Sequence, residues 1–378
     1  MRVALAFPGC HRRGGVERVM LECANYMASR GHETHVYSSD WDEKSMHEAV
    51  IRHHVSIRKQ PNIARVVSFA RGSSAALGRM HPRPNIIGGF GISAPRSEVV
   101  WVQSVQKAWL EISSSQRDFK GRLKQRLNLF HPLTIAMEQR YYGGRKYRKL
   151  IALSDQVKGD LMRLYGVPDK DVVVIPNGFA PSEFSVARRN EKRKAMRQKL
   201  GYGNSDKVVI FAANELERKG FGPLLRAIAA LEDFSVQLLA VGRLNPLAYA
   251  AEIQKLGMTQ RVKFTGPTSE VANYYAAADV FALPTQYEAW GLVIVEAMAC
   301  GLPALTSRLA GASITISEGQ TGHLLDDPAN VDEIRAKLSL LLQGEHASAE
   351  VISDSVAQYA WSRVLETYEK VLTECATT

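Results

Sequence analysis

Two glutamates eight residues apart, Glu288 and Glu296, stand in a segment whose pattern suits the binding of a phosphorylated sugar. A buried strand is predicted to end at Pro284, and a helix is predicted to follow it after a short polar loop. The unpaired amides at this helix N-terminus would form a phosphate site, and they belong to Ala289, Trp290, Gly291 and Leu292. A carboxylate two turns into the helix could chelate vicinal ribose hydroxyls, and one in the loop could hold a hexose. The alternative is that Glu296 only satisfies partners within an ordinary strand–helix unit.

A second segment places two cations in another strand-to-helix loop. The predicted strand 208–212 leads to Arg218, Lys219 and Gly220, directly before a predicted helix. Two cations and a helix N-terminus would neutralise a diphosphate leaving group. A solvated basic turn is the alternative for such a pair.

A third segment carries the glycine pair Gly14 and Gly15 between the first predicted strand and helix. Glycine lets a phosphate or a sugar approach the backbone closely. The pattern matches neither the dinucleotide-binding nor the P-loop fingerprint, so it is weak evidence by itself.

The elements that must position these residues alternate between strand and helix in two sets, as in parallel sheets covered on both faces. The predicted strands are 3–8, 34–38, 85–87, 99–103, 150–154 and 172–176, then 208–212, 236–241, 262–265, 280–284, 303–306 and 323–325. The predicted helices include 16–30, 220–231 and 292–299. Two doubly wound domains follow, 1–180 and 181–356, with a terminal helix in 357–378 that packs back on the first domain. Such domains bind ligands at the carboxyl ends of their strands, so an active site is expected in a cleft between them.

The composition fits a soluble globular protein of 378 residues with 46% hydrophobic residues and a substantial core. Two domains are the natural expectation for this length, and no apolar run reaches the length of a membrane span. The opening residues suit a first strand better than a signal peptide. The four cysteines are scattered without metal-ligand spacing, which favours reduced thiols in the cytoplasm.

The net charge of +10 is unevenly distributed along the chain. The stretch 117–149 holds ten Lys or Arg residues against two acids, a local charge of +8. Apolar residues recur there at helical spacing from Phe119 to Phe130, as in an interfacial amphipathic helix. An ordinary helix with a solvated basic face and an anchor on an anionic membrane remain as equal readings. Nucleic acid is not expected, because no recognised nucleic-acid module accompanies the charge.

The three segments together resemble glycosyltransferase family 4 of the GT-B fold, which has two facing Rossmann-like domains. The resemblance covers nearly the whole chain and includes the Glu-x7-Glu segment, the Arg-Lys-Gly turn, the glycine pair and the run Ile-Pro-Asn-Gly-Phe. Within the family the chain looks most like the lipopolysaccharide-core glucosyltransferase I group.

The resemblance implies a retaining transferase that uses a nucleotide-diphosphate sugar, with UDP-glucose or a related UDP-sugar as the expected donor. Arg218 and Lys219 would bind the diphosphate, and Glu296 the ribose. Glu288, as the catalytic residue, would hold the donor sugar together with the amides that follow it. Gly15 would line the donor site, and Gly14, Gln103 and Gln106 the acceptor side. The acceptor would be a glycan, a lipid-linked sugar or a lipopolysaccharide-type molecule.

The same resemblance implies no cofactor and no metal, because the cations meet the diphosphate charge. Asp40 and Asp42 match the DxD pattern of metal-dependent transferases but follow the wrong strand, so they read as a surface loop. The adjacent His53 and His54 are expected to face solvent. The enzyme is expected in the cytoplasm, peripherally on the inner face of the membrane.

Two departures from the family pattern weaken the expected site. Ala213 stands where many relatives have an arginine, and Gln103 or Gln106 stands where many have a histidine. These departures leave open a non-catalytic sugar-nucleotide-binding protein at a membrane, against which the intact Glu288 and Glu296 pair argues. A sugar-nucleotide epimerase or a phosphorylase can share the two-domain architecture, but nothing in the sequence suggests the pyridoxal-phosphate lysine of a phosphorylase. The stretch Gly88–Gly91 is read either as a turn or as a loop that lines the acceptor site.

Overall fold

The computed structural model describes residues 1–58, 60–116 and 130–377 and divides into two compact units. One unit holds Met1–Asn177 together with Trp361–Thr378, and the other holds Gly178–Ala360. The predicted boundaries after residues 180 and 356 lie within a few residues of these. Within the described ranges, no helix is both long and apolar enough to span a bilayer.

The first unit contains a seven-stranded sheet, and most of its helices connect consecutive strands along the chain. Its sheet order is β5-β3-β1-β6-β7-β8-β9, and every neighbouring pair is parallel. The strands are β1 Arg2–Ala6, β2 Gly9–Cys10, β3 Glu33–Ser38, β4 Asp40–Trp41, β5 Ile51–His54, β6 Ile86–Phe90, β7 Val99–Val102, β8 Lys149–Ala152 and β9 Val172–Val174. The helices are α1 Gly15–Ser29, α2 Asn62–Gly78, α3 Gln106–Gln116, α4 Phe130–Glu138 and α5 Asp155–Tyr165. The short strands β2 and β4 pair separately from the main sheet.

The second unit repeats this plan with a six-stranded parallel sheet of order β12-β11-β10-β13-β14-β15. The strands are β10 Lys207–Ala212, β11 Val236–Val241, β12 Val262–Phe264, β13 Val280–Leu283, β14 Ala304–Ser307 and β15 Gly322–Leu325. The helices are α6 Val186–Leu200, α7 Phe221–Ala229, α8 Ala250–Lys255, α9 Val271–Ala277, α10 Leu292–Ala299, α11 Val331–Leu342 and α12 Ala349–Ser355.

The terminal helix α13, Trp361–Thr377, belongs to the first unit. Its Tyr368 is fully buried, lies edge-on to Trp101 of β7 and donates its hydroxyl to Asn177 Oδ1 over 3.2 Å. Its Glu369 accepts hydrogen bonds from Tyr26 and His32 of the α1 region. Apolar packing and these polar contacts together fix the helix on the first unit.

Local sequence explains why these elements form where they do. All four residues of β13 are buried, as expected for a parallel strand covered on both faces. Ser185 caps α6 by accepting a hydrogen bond from the Arg188 amide, and Gly201 ends the same helix in the left-handed region. The basic run at the start of α6 is partly internal, because Arg193 forms an ion pair with Asp279 over 2.5 Å.

Most of the stretch Gly88–Gly91 is strand and not the turn or loop that the sequence suggests, and only Gly91, with φ +74°, begins the loop after β6. Gly88 and Gly89 lie inside β6. A Cβ on Gly88 would lie 2.8 Å from both Leu5 and Trp101, so a larger residue has no room between the neighbouring strands. These glycines therefore serve close packing of the sheet.

Candidate donor site and acceptor-side residues

The two charged motifs of the second unit lie at one edge of its sheet. β10 and β13 are neighbours at the centre, where the strand order reverses direction. In open parallel sheets this point leaves a crevice beyond the carboxyl ends of the strands, where ligands bind. The loop after β10 carries Arg218 and Lys219, and the loop after β13 carries Glu288. The topology therefore brings together groups that are about seventy residues apart in sequence.

Gly220 allows the two loops to approach closely. It has φ +79°, and a Cβ at this position would lie 1.9 Å from the carbonyl oxygen of Pro284. A side chain there would meet both an unfavourable backbone conformation and a backbone clash. Gly220 is therefore required by the meeting of the β10 and β13 loops, and it is the N-cap residue of α7.

Hydrogen bonds through Arg218 join the same loops. The carbonyl oxygen of Arg218 accepts from the Gln286 amide over 3.0 Å and from the Thr285 hydroxyl over 3.3 Å. Its guanidinium donates to the carbonyl oxygen of Tyr287 over 2.9 Å. Arg218 thus serves as a structural link between the loops as well as a cation.

The guanidinium of Arg218 also forms a bidentate ion pair with Glu215, with distances of 2.8 and 3.0 Å. This hydrogen bonding lowers the pKa of the Glu215 carboxyl, and burial opposes the shift. Planar bidentate pairs of this kind fix a guanidinium in orientation as well as position. Arg218 is therefore held at the edge of the site by its neighbour in the same loop.

Lys219 forms an ion pair with Glu288 across the two loops. The lysine side chain is only 9% exposed and the glutamate 22% exposed. Burial, assisted by the neighbouring Arg218 charge and opposed by Glu215, lowers the pKa of Lys219 from 10.5 to about 7. The ammonium is charged below that pKa and loses its charge as the pH rises through it. An anion bound beside Lys219 would hold the proton in place.

The backbone of Glu288 is fixed by the loop after β14. Its amide donates to the carbonyl oxygen of Leu309 over 3.2 Å, and its carbonyl accepts from the Gly311 amide over 2.9 Å. Because the main chain is held on both sides, the carboxylate has a defined starting point. The loops after three neighbouring strands of the sheet, β10, β13 and β14, therefore position this one side chain.

The helix N-terminus predicted beyond Glu288 is present in α10. Gly291 is its N-cap residue, with φ +103° and no side-chain cap hydrogen bond. Among the described residues, no amide of 289–292 donates to another backbone group. Four neighbouring N–H groups thus remain for an anion or a sugar hydroxyl. The side chains of Ala289 and Trp290 are buried and support the loop from within, while Leu292 is half-buried.

Glu296 is the fifth residue of α10 and is only 3% exposed. Burial of the Cys300 thiol raises its pKa to about 12, and the negative charge of Glu296 adds to this effect. The structure thus places Glu296 on the predicted helix, but deeper than a residue that simply lines an open surface.

Arg243 is a further cation at this edge that the sequence motifs do not reveal. It follows β11, the other neighbour of β10, and its amide donates to the Asn214 side chain over 3.0 Å. Its own side chain is exposed. Gly242 makes this contact possible, because a Cβ there would lie 1.8 Å from the Ala213 carbonyl oxygen. The only sequence signal is a glycine directly after a buried strand.

In the first unit, the glycine pair opens α1 as predicted, but its surroundings are different from those expected. Gly14 is the N-cap residue with an extended backbone, and Gly15 is the first helical residue and is exposed. A Cβ on Gly14 would lie 2.1 Å from a carboxylate oxygen of Glu17. The helix N-terminus is therefore already approached by a carboxylate of its own first turn.

The two glutamines proposed for the acceptor side have different environments. Gln103 accepts a hydrogen bond from Asn177 over 3.3 Å, while its Nε2 atom is buried and has no partner among the described residues. Gln106 begins α3, and its Nε2 lies 3.2 Å from Nδ1 of His131. The amide of Gln106 donates to Glu138 over 2.8 Å. Gln103 has a spare donor, and Gln106 is engaged with its neighbours.

A polar cavity of about 620 Å³ lies beyond the carboxyl ends of β1, β3 and β5. It is lined by Pro8, Gly9, His11, Ser39, Asp40, His54, Ser56, Ile57 and Arg65. Sequence reasoning missed it because β5 is an exposed strand without an apolar run, so the convergence of three strand ends at this point was not predicted.

The two aspartates of the DxD-like pattern have partners of their own. Asp40 accepts from Arg13 over 2.6 Å and lies 3.5 Å from His11. Asp42 accepts from the amide of Lys44 and the hydroxyl of Ser45. In residues 1–58, 60–116 and 130–377, no group of three or more His, Cys, Asp or Glu side chains is arranged to hold a metal.

The expectation that His53 faces solvent is wrong. Its ring stacks on Tyr37 at 4.4 Å and lies within hydrogen-bond distance, 2.8 Å, of His35. Burial lowers the pKa of His53. The histidine packs on β3, while the adjacent His54 is exposed and lines the polar cavity.

The amphipathic helix predicted within 117–149 lies largely outside the described residues, which omit 117–129. The part that is described begins with α4 and continues as a π-helical turn, Gln139–Gly143, that buries Tyr141 and Tyr142. Arg140, Arg145 and Lys146 are exposed. Apolar packing and an exposed basic surface therefore coexist in this segment.

Two family models match adjacent parts of the chain. "Glycosyltransferase Family 4" matches residues 13–183, and "Glycosyl transferases group 1" matches residues 192–356. Together with the parallel sheets, these matches show that the chain is a glycosyltransferase with a family 4 domain followed by a group 1 domain. It is an enzyme of this class, with the GT-B type of α/β fold, as predicted.

Individual relatives and solved structures show which glycosyltransferases the chain is similar to. The chain is 26% identical to the lipopolysaccharide glucosyltransferase WaaG of Escherichia coli K12, over 86% of this chain and 85% of WaaG. A crystal structure of WaaG superposes with a TM-score of 0.82 at 23% identity, covering 98% and 99% of the two chains. Anabaena Alr3699/HepE, solved with UDP and glucose, gives a TM-score of 0.74 at 20% identity over 99% of each chain. The predicted likeness to the lipopolysaccharide-core group is confirmed, and the structural matches establish the fold.

Proposed function

We propose that the protein transfers a hexose from a UDP-sugar, most simply UDP-glucose, to a glycan, lipid-linked or lipopolysaccharide-type acceptor. The observation that carries this proposal is the meeting of Arg218, Lys219 and Glu288 beside the N-terminus of α10. Cations and free amides suit a diphosphate, and a fixed carboxylate suits sugar hydroxyls. Two relatives support the choice, since WaaG is a lipopolysaccharide glucosyltransferase and Alr3699/HepE was solved with UDP-glucose.

In this proposal the diphosphate exchanges the internal partners of the two cations for its own oxygens. Lys219 leaves Glu288 for the phosphate, and the freed carboxylate then accepts hydrogen bonds from the donor sugar. The cation stabilises the negative charge that develops on the leaving phosphate. Glu296 receives the ribose hydroxyls from within α10.

Transfer is proposed to retain the anomeric configuration. The acceptor hydroxyl attacks the face that the diphosphate leaves, and a leaving phosphate oxygen takes the hydroxyl proton. No metal is required, because the cations and amides supply the positive charge. NMR of the product should show the donor's anomeric configuration, and activity should persist in EDTA. An inverted product would refute retention, and activity that EDTA abolishes and magnesium restores would refute the metal-free site.

The acceptor is proposed to bind to the first unit through Gln103 and the polar cavity near His11 and Asp40. The Nε2 atom of Gln103 offers a hydrogen bond, and the cavity offers donors and acceptors suited to sugar hydroxyls. Gln106 is less suited because it is engaged with His131, and Gly14 because the Glu17 carboxylate occupies the space beside it.

We further propose that the enzyme works in the cytoplasm, peripherally on an anionic membrane, through the basic stretch 117–149. Each basic residue near such a surface contributes about 1 kcal/mol, which salt screens. Binding should rise with the anionic lipid content of vesicles and fall with salt. Replacement of Lys120, Arg122, Lys124 and Arg126 with glutamine should release the protein while UDP-glucose binding is kept. Equal sedimentation with neutral and anionic vesicles would refute this anchoring.

A further inference from the structure

A second cavity of the first unit has walls of a different chemistry from the donor site. It has a volume of about 530 Å³, within the range of small-molecule sites, and lies between α2 and α4. Four α2 residues at positions i, i+3, i+4 and i+7 form one side of it, and these are Val67, Ala70, Arg71 and Ser74. Leu133 and Met137, one turn apart on α4, form the other side.

The walls of this cavity are mainly apolar. Besides the aliphatic side chains of the two helices, Ile92 and Pro95 of the loop after β6 contribute to the lining. Tyr141 contributes its ring, because its hydroxyl is already donated to the carbonyl oxygen of Ser97. Ser74 is the one hydroxyl among the lining residues that forms no hydrogen bond in the described part of the chain. A hydroxyl-rich sugar or a nucleotide would leave its polar groups unpaired there.

The remaining lining residues are cations. Arg71, Arg140 and Lys146 are all exposed, and no acidic residue joins them in the lining. Within the described residues none of the three side chains forms an ion pair or a hydrogen bond. The lining therefore carries three positive charges that the described structure does not neutralise.

Two acids close in sequence to lining residues are committed elsewhere, Glu138 beside Met137 and Glu98 three residues after Pro95. Glu138 accepts from the Gln106 amide and from the hydroxyl of Tyr165, at 2.8 and 2.5 Å. Glu98 is paired with Arg83 and Arg148, each over 3.3 Å. The three cations of the cavity are therefore available to an external anion.

We propose that this cavity binds one molecule of an anionic phospholipid. An acyl chain occupies the apolar space between α2 and α4, and the phosphate lies against Arg71, Arg140 and Lys146. Apolar walls beneath a group of unpaired cations match a molecule with an apolar chain and an anionic head. A free phosphate would use only the cations, and a neutral lipid only the walls.

This site differs from general attraction to a charged surface. The α2 side of the cavity, with Val67, Ala70 and Arg71, lies outside the basic stretch 117–149, although Arg140 and Lys146 belong to it. The apolar walls between the two helices add a requirement for an acyl chain, which general attraction to a charged surface does not have. A lipid held here would bind in a one-to-one ratio and in the absence of a bilayer. It would also retain the first unit on a membrane against salt better than charge alone.

Binding of a monomeric short-chain lipid to the full-length protein tests the proposal. Dihexanoyl phosphatidylglycerol, kept below its micelle concentration, should bind saturably with one site by calorimetry. Dihexanoyl phosphatidylcholine and glycerol phosphate should each bind at least about tenfold more weakly, because one lacks net charge and the other lacks acyl chains.

Two kinds of variant locate the site. Ser74→Trp fills the cavity and should abolish binding, and the double variant Arg71→Gln with Arg140→Gln should weaken it by about tenfold or more. Arg145→Gln is the matched control, because this exposed arginine follows closely in sequence but does not line the cavity. All variants should give a cooperative thermal unfolding transition like that of the wild type, which shows that they fold, and should keep the wild-type affinity for UDP-glucose.

Four results would overturn the proposal. They are no saturable binding to the wild type, equal affinity for the two lipids, unchanged binding in Ser74→Trp, and an equal loss in Arg145→Gln. Should Ser74→Trp fail to fold, the charge variants decide alone, since both replaced arginines are exposed. If another segment of this chain fills the cavity, the wild type will not bind the lipid, and the proposal is equally overturned.

Discussion

The carboxyl edges of the two sheets differ in how their charged side chains are paired. In the second unit, Arg218 and Lys219 are each paired with a glutamate, and hydrogen bonds join the loops that carry them. In the first unit, the corresponding edge holds an open polar cavity, in which Asp40 with Arg13 and His11 forms the main charged contact. One edge is preorganised around its own charges, and the other leaves polar groups exposed to solvent.

This difference suggests a division of labour between specificity and adaptability. A diphosphate has a fixed shape and charge, so an edge built from held cations can receive it with little reorganisation. A sugar acceptor varies in its hydroxyls, so an open cavity with spare hydrogen-bonding groups can be altered by few substitutions. Substitutions at the carboxyl edge of the second unit should therefore reduce activity, stability or affinity more than substitutions at the carboxyl edge of the first unit.

The largest effect is expected for Glu288→Gln. The carboxamide keeps the size of the side chain but loses the charge that pairs with Lys219 and holds the donor sugar. The turnover number should fall by about 100-fold or more, as for other preorganised polar groups at reacting centres. Steady-state kinetics measure this, with Glu333→Gln as the control. Glu333 pairs with Lys337 over 2.8 Å in the same unit, but both residues lie within α11. A Glu288→Gln enzyme that folds and keeps a third of its turnover would contradict the assignment.

Alanine substitutions of one glycine at each edge should lower the free energy of unfolding by different amounts. Gly220→Ala places a Cβ against the Pro284 carbonyl at positive φ, whereas Gly14→Ala meets only the movable side chain of Glu17. Thermal or denaturant unfolding should show that Gly220→Ala lowers the free energy of unfolding by about 2 kcal/mol or more. Gly14→Ala should change it by less than about 1 kcal/mol. Equal losses would show that the loops of the second unit are not closely interlocked.

The depressed pKa of Lys219, about 7, predicts a pH-dependent affinity for the donor. The ammonium is present below this pKa and is lost above it, so UDP-glucose should bind more weakly as the pH rises from 7 to 9. The loss should approach tenfold per pH unit, until the pKa of the bound state is reached. UDP-glucose is the suitable probe because both phosphates are esterified and keep their charge over this range.

The variant Lys219→Arg serves as the control for this pH dependence. A guanidinium stays charged throughout the range, so the affinity of the variant should be nearly constant with pH. A wild-type affinity that is flat between pH 6 and 9 would show that Lys219 does not titrate against the donor.

The smallest effect is expected at the first edge. Gln103→Ala removes the buried Nε2 donor and the hydrogen bond from Asn177. The KM for the acceptor should rise by about three- to tenfold, as for one neutral hydrogen bond. Calorimetry with UDP-glucose should give the wild-type affinity. A loss of donor affinity as large as the change in acceptor KM would remove Gln103 from the acceptor side.

Much of the fold was predictable, because the strands are short apolar runs that parallel sheets bury on both faces. The predicted strand 236–241 and helix 292–299 coincide with β11 and α10. β5 was not predicted, since Ile51–His54 is largely exposed and polar. Gly88 and Gly89 misled because their role depends on the rings and side chains of neighbouring strands, which a local pattern does not reveal.

The candidate site was predictable in its membership but not in its pairing. Helix-start signals and residue types identified Arg218, Lys219 and Glu288. That Lys219 would pair with Glu288 depends on two loops that meet only because β10 and β13 are neighbours. The exposed Arg243 carries no motif, and its place at the same edge follows from the pairing of β11 with β10.

The central claim, that the edge of the second unit binds the donor diphosphate, is tested most directly by calorimetry with UDP-glucose on full-length Lys219→Ala. The matched control is Lys207→Ala, a lysine at the start of β10, away from the loop that carries Lys219, that pairs with Asp233 over 3.0 Å. The account predicts that Lys219→Ala loses about 10- to 100-fold in affinity, as one charge-assisted contact contributes roughly 1.5–3 kcal/mol. Lys207→Ala should bind as the wild type does. Wild-type affinity in a folded Lys219→Ala protein, or an equal loss in both variants, would contradict it.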